Sequence, residues 1–177
     1  MEPSNPYFEI FSEFEKSGLE YLIVGGYAAI LYGAARMTKD MDIIVDLKTP
    51  NLTKCLDILR QNNFILSHQH VGEEDVSSEN ILKWKSEKNM KALRFENNSQ
   101  PFLMIDMILD FPGDFPKLYE NRLQKKVEER SLCFMGKKDL IEMKSMAGRL
   151  QDFQDNFSMT GEVIWLDKIR EKYANKT

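Results

Sequence analysis

Two aspartates one residue apart, Asp40 and Asp42, open an apolar run that continues as Ile43-Ile44-Val45. Side chains alternate along an extended strand, so both carboxylates leave from one face and repel each other there. A divalent cation with oxygen preference relieves that repulsion. Mg²⁺ suits such a site where phosphates are handled, with Mn²⁺ as the alternative. Upstream, Gly25-Gly26 closes the apolar run Tyr21-Leu22-Ile23-Val24 and leads into an Ala/Leu/Ile-rich stretch. A glycine turn between a buried strand and a helix leaves backbone N–H groups facing an anion. Downstream, Asp106 interrupts Met104-Ile105-Asp106-Met107-Ile108, and a carboxylate in a buried strand is costly unless a cation or partner meets it. Three aspartates can hold two metal ions roughly 3.5–4 Å apart.

Each residue also has a plainer reading. Gly25-Gly26 could be a tight turn only, Asp40 a cap, and Asp42 the partner of Arg36; their joint occurrence with Asp106 favours metal binding. Asp110 lies on the same strand face as Asp106 by parity and competes for the third acidic position, although the immediate neighbours of Asp106 are all apolar. Asp46 shares the face of Asp42 but falls near the strand end, where solvation is expected. Lys144 and Asp152 stand within about 80° of each other on an ideal helix, with Gly148 between them, and Arg149 reads as a salt-bridging residue. His68 and His70 have no Cys/His companions at zinc spacing and belong on a surface loop.

The elements that must carry these residues follow from hydrophobic pattern. Phe8, Ile10, Phe11 and Phe14 predict an amphipathic first helix ended by Gly18. Strands are expected at 21–24 and 41–45, a helix at 27–32, and another from Pro50 to Asn62 with Leu52, Leu56 and Leu59 inward. Residues 67–91 are polar and read mainly as loops, with a short buried piece at Ile81, Leu82 and Trp84. Strands at 92–96 and 102–111 form a hairpin about Asn97-Asn98-Ser99. A helix through Phe115, Leu118 and Leu123 precedes one strand at about 127–134, and 139–173 is helical with breaks at Gly148 and Gly161. The expected fold class is α+β (mixed α/β): a central mixed sheet flanked by helices, with a helical C-terminus.

The chain has 177 residues, 42% hydrophobic and 29% charged, which is one domain's worth with material for a core. C-terminal helices at about 138–174 are expected to pack on that domain. A net charge of -4 and a pI near 5.3 exclude a body that grips nucleic acid through bulk positive charge. Cys55 and Cys133 form no C-x-x-C pair and read as reduced core thiols. Trp84 and Trp165 read as core or cover residues. No apolar run approaches the 18 or so residues of a membrane span, and Met1-Glu2-Pro3-Ser4 lacks a secretory signal, so a cytoplasmic protein with no membrane partner is expected.

The ordered set Gly25, Gly26, Asp40, Asp42 and Asp106 resembles the signature of the DNA polymerase beta-like nucleotidyltransferase superfamily. The stretch from Arg36 through Thr38 to Asp42, with Lys144 and Asp152 near the other end, is similar to the bacterial nucleotidyltransferases related to the AbiEii toxins. This resemblance spans about residues 20 to 160. It implies a nucleotidyltransferase fold and a Mg²⁺-dependent transfer of a nucleoside monophosphate from an NTP to a hydroxyl, with release of pyrophosphate. By the same resemblance Gly25 and Gly26 would hold the triphosphate, aided by Arg36 and Thr38. Asp40, Asp42 and Asp106 would bind metal, and Asp106 would act as or orient the base. Lys144 would touch a phosphate, with Asp152 positioning it or Arg149. The implied acceptor is RNA (tRNA among them), protein or a small molecule. The alternative is a non-catalytic nucleotide-binding module or a toxin–antitoxin component held by a cognate antitoxin. The larger toxins carry a further helical domain that this chain does not show, so toxicity does not carry over.

Overall fold

A computed structural model describes residues 7–67, 71–127 and 129–161. Helix α1 (Tyr7–Ser17) buries Tyr7, Ile10, Phe11 and Phe14 and stops at Gly18, whose φ of +62° is the left-handed turn that favours glycine. Strand β1 (Tyr21–Ile23) runs into α2 (Gly25–Leu31). Strand β2 (Met41–Val45) is followed by α3 (Thr49–Gln61), with Pro50 in its first turn where no N–H is required. The chain continues through β3 (Phe64–Leu66), a 3-10 turn at Glu73–Asp75, α4 (Ser78–Glu87), β4 (Ala92–Asn97), β5 (Met104–Ile108) and α5 (Phe115–Glu120). It then forms β6 (Leu123–Val127), β7 (Arg130–Phe134), α6 (Lys137–Ala147) and α7 (Leu150–Thr160).

The seven strands of the described residues join one mixed sheet in the order β3-β4-β5-β2-β1-β7-β6. β2 is its middle strand, antiparallel to β1 and parallel to β5. Ile43, Ile44 and Val45 are buried on successive positions, so both faces of β2 are covered, as a central strand requires. Helix α1 packs on β7 and α3, whereas α2 packs on β2 and meets α6 and α7. Cys55 and Cys133 are free and buried, as expected of core thiols.

Three local expectations need correction. The polar stretch expected as loops contains α4, because Ser77 accepts the Asn80 N–H at 3.2 Å as an N-cap and Ile81 and Trp84 bury a narrow stripe one turn apart. Its polar faces hid that stripe. The helix expected through Leu123 ends at Glu120, and the single strand expected after it is the hairpin β6–β7. Strand β6 is an exposed edge carrying Lys125 and Lys126, a charged rim that opposes edge-to-edge pairing. Finally, Asp46 is buried, with its carboxylate accepting from the Lys48 backbone and paired with the Lys48 ammonium at 3.1 Å. His68, His70, Trp165 and the helix expected beyond 161 lie outside the described residues.

Candidate functional site

Parallel pairing of β2 with β5 sets Asp42 directly opposite Asp106, and antiparallel pairing of β4 with β5 sets Arg94 on the other side of Asp106. The Arg94 guanidinium grips Asp106 with two parallel hydrogen bonds, Nε to Oδ1 at 2.8 Å and an amino nitrogen to Oδ2 at 2.7 Å. The same nitrogen reaches Asp40 Oδ2 at 3.3 Å. The three aspartates therefore meet at one end of the sheet. Of the two acidic candidates for the third position, Asp106 is the one at the meeting point. Asp110 lies beyond the end of β5, exposed and ion-paired with Lys91.

The turn after β1 shapes the other side of this cluster. Val24 donates its N–H to the Asp42 carbonyl at 2.9 Å, which brings Gly25 against the Asp42 side chain. Gly25 has φ +60°, and a Cβ placed there would overlap the Asp42 carboxylate; only glycine meets both demands. A Cβ at Gly26 would overlap Thr38, whose hydroxyl donates to the Asp40 carbonyl at 3.4 Å. The Gly26 N–H is engaged by the Asp42 carboxylate. Tyr7 braces the site from α1: its hydroxyl sits 3.0 Å from the Lys39 carbonyl and 2.9 Å from that of Met104, sharing its proton, and accepts the Met104 N–H at 3.0 Å. One buried phenol thus ties the entrances of β2 and β5 together.

The charges do not balance locally. Burial, then the neighbouring charge of Asp106, and more weakly that of Asp40, push the Asp42 carboxyl up from 3.8 to about 6, against the opposing pull of the Gly26 N–H and Lys144. Asp42, Asp106 and Gly25 line a cleft of about 590 Å³, together with Lys91, Asp110, Phe111, Met143, Met146 and Arg149 among others.

Lys144 and Asp152 converge on each other. The Lys144 ammonium is buried and donates to Asp155 at 2.7 Å and to Asp152 at 3.3 Å. The left-handed residue Gly148 between α6 and α7 folds the two helices together so that the pair can form. Asp152 also receives the Arg149 guanidinium at 2.7 and 3.1 Å, and Asp155 receives Arg36 at 2.9 Å. Burial opposes ionisation of Asp155, but hydrogen bonds and charge from Lys144, with help from Arg36 and Gln151, hold its carboxyl below the usual range. Arg36 and Lys144 are thus bound into an ion network that anchors the loop before Asp40 to α6 and α7. Two cations line the cleft with exposed side chains, Arg149 at 75% and Lys91 at 62%.

Arg94, Tyr7 and Asp155 were not singled out from the sequence. The hairpin expected about Asn97-Asn98-Ser99 would set Met90 opposite Asp106; the observed register sets Arg94 there. Tyr7 and Asp155 lie 97 and 119 residues from their partners Met104 and Arg36, and no local pattern signals them.

Asp40, Asp42 and Asp106 offer carboxylate oxygens, donors of the kind a hard divalent cation prefers. Among the described residues no three acidic, histidine or cysteine side chains stand as ligands about one point; the positive charge between Asp40 and Asp106 is the Arg94 guanidinium.

The mixed sheet and its helices match the nucleotidyltransferase fold, and solved structures of that fold superpose on this chain. A lincomycin-bound lincosamide antibiotic adenylyltransferase, LnuA, matches with TM-score 0.54 and 13% identity over 88% of this chain and 94% of its own. The antibiotic-resistance factor ANT(2'')-Ia matches with TM-score 0.54 and 10% identity over 96% and 91%. An antigenic nucleotidyltransferase-like protein from Paracoccidioides brasiliensis matches with TM-score 0.53 and 14% identity over 94% and 86%. At such identities the likeness is one of fold. No protein-family profile and no curated protein sequence matches the chain. Among the described residues, no helix is long and apolar enough to cross a membrane.

Proposed function

We propose that this protein is a divalent-cation-dependent nucleotidyltransferase that moves a nucleoside monophosphate from an NTP to a hydroxyl on a small-molecule acceptor and releases pyrophosphate. The observation that carries the proposal is the pairing of Asp42 with Asp106 beside Gly25 on the wall of an open cleft, with Asp40 joined to Asp106 through Arg94. Asp40, Asp42 and Asp106 would hold Mg²⁺ or Mn²⁺. The bound cation supplies charge neutralisation at the triphosphate and at the leaving pyrophosphate.

The chain's own groups supply the rest. Asp106 accepts, or orients the group that accepts, the proton of the acceptor hydroxyl as its oxygen bonds to the α-phosphorus and the bond to the β-phosphate bridge breaks. Gly25 and Gly26 keep the backbone low, so that a triphosphate can approach the carboxylates. Arg149, at the cleft wall, takes the phosphate-facing role first expected of Lys144, and Lys144 serves with Asp152 and Asp155 to seat α6 and α7. Arg36 and Thr38 fix the loop that carries Asp40. A small acceptor fits a cleft of about 590 Å³, within the usual range for ligand pockets, and suits an acidic chain better than an RNA backbone does. Phe111, Met143 and Met146 offer apolar contact to such an acceptor, as Asp110 offers polar contact. Two of the structural neighbours are a lincosamide antibiotic adenylyltransferase and an antibiotic-resistance factor. The finer likeness to AbiEii-related enzymes rests on Arg36, Lys144 and Asp152.

The test is incubation with α-³²P-labelled NTPs, Mg²⁺ and a panel of hydroxylated antibiotics, tRNA and protein. Label should pass to a small molecule and vanish in Asp42→Ala. Label transfer that survives in Asp42→Ala overturns the metal role, and NTP binding without any transfer would instead favour a nucleotide-binding or antitoxin-held module.

A further inference from the structure

Arg94 stands where the proposed cation must act. It takes both oxygens of Asp106 and one of Asp40, so one guanidinium nitrogen already bridges the two carboxylates. The two partners differ in freedom. The Asp106 side chain is 13% exposed and cannot turn away to water, whereas that of Arg94 is 43% exposed and has open solvent beside it. If a cation draws Asp40 and Asp106 together, the guanidinium is the group that leaves. A bidentate arginine–carboxylate pair is among the stronger charge-assisted contacts, so its loss weighs against the metal.

We infer that the Arg94 guanidinium and a divalent cation are mutually exclusive occupants of the space between Asp40 and Asp106, so that Arg94 sets the affinity of the site for metal. This rests on the metal-binding reading proposed above. In the metal-free protein Arg94 offsets part of the charge of Asp40 and Asp106 and ties the β4 and β5 rims to the segment leading into β2. On metal binding it is released at the rim of the sheet. The arginine is therefore a positioning residue whose cost is a weakened metal site.

Mn²⁺ binding to the full chain, followed by the electron paramagnetic resonance of free Mn²⁺ and by titration calorimetry, tests the inference. Arg94→Gln should bind Mn²⁺ at least about tenfold more tightly than the wild type, the effect of removing one competing charge-assisted hydrogen bond. Arg94→Lys, which keeps the charge without the two-pronged fork, should fall between them; it also carries the test should Arg94→Gln misfold by circular dichroism. In EDTA the Arg94→Gln melting temperature should drop below that of the wild type and recover on adding Mn²⁺. Unchanged or weaker Mn²⁺ binding in both Arg94 variants, with binding to the wild type intact and lost in Asp42→Asn, overturns this inference alone. Absence of Mn²⁺ binding at millimolar concentration in every protein overturns the metal reading beneath it.

Discussion

Replacing Asp42 by Asn should stabilise the metal-free protein while removing the activity proposed for it. The Asp42 carboxyl is pushed from 3.8 to about 6, first by burial and then by Asp106 and Asp40. At about 1.4 kcal/mol for each tenfold change in proton affinity, its ionisation costs the folded state about 3 kcal/mol. The sign follows from linkage. Below 3.8 the group is protonated in both folded and unfolded chains and the cost is absent. Between 3.8 and about 6 the unfolded chain loses its proton while the folded one keeps it, so stability falls as pH rises. Above about 6 the full cost is present. Asn keeps an oxygen to accept the Gly26 N–H and lacks the charge. Urea denaturation in EDTA should therefore show Asp42→Asn more stable than the wild type by about 2–3 kcal/mol at pH 7.5, with the difference nearly gone at pH 4. Saturating Mg²⁺ should restore the wild type alone. A variant less stable than the wild type at pH 7.5, or a gap that does not close on acidification, would refute the claim that Asp42 carries uncompensated buried charge.

Two further substitutions separate roles that the sequence left merged. Lys144→Ala should lower stability by about 3–5 kcal/mol in urea denaturation, because Asp152 and Asp155 would lose the ammonium buried between them; unchanged stability with selectively weakened NTP binding would return Lys144 to the phosphate. Gly25→Ala should cost the roughly 1–2 kcal/mol of left-handed strain and also displace the Asp42 carboxylate, weakening Mn²⁺ affinity. Gly18→Ala is its control: φ is +62° there, with no neighbour within 4 Å of an added Cβ, so it should show the strain in melting and leave Mn²⁺ binding as it was.

The amino-acid sequence by itself determined where the carboxylates sit on their strands. Alternation places Asp42 on β2 with Asp40 just ahead of it, an acidic residue inside Met104–Ile108 marks β5, and a glycine pair after an apolar run marks the turn that closes on them. These are signals of short range, carried by side-chain period and backbone freedom. They also reached most of the elements, failing where polar faces masked the thin buried stripe of α4 and where an exposed basic edge strand, β6, showed no apolar pattern. The tertiary structure alone decided who meets whom. Parallel pairing of β2 with β5, which no local pattern encodes, chose Asp106 over Asp110 and set it opposite Asp42. The β4–β5 register delivered Arg94 to the same carboxylates. The fold-back at Gly148 buried Lys144 between Asp152 and Asp155. A lysine's partners depend on which helix folds against it, and its neighbours in sequence carry no record of that choice.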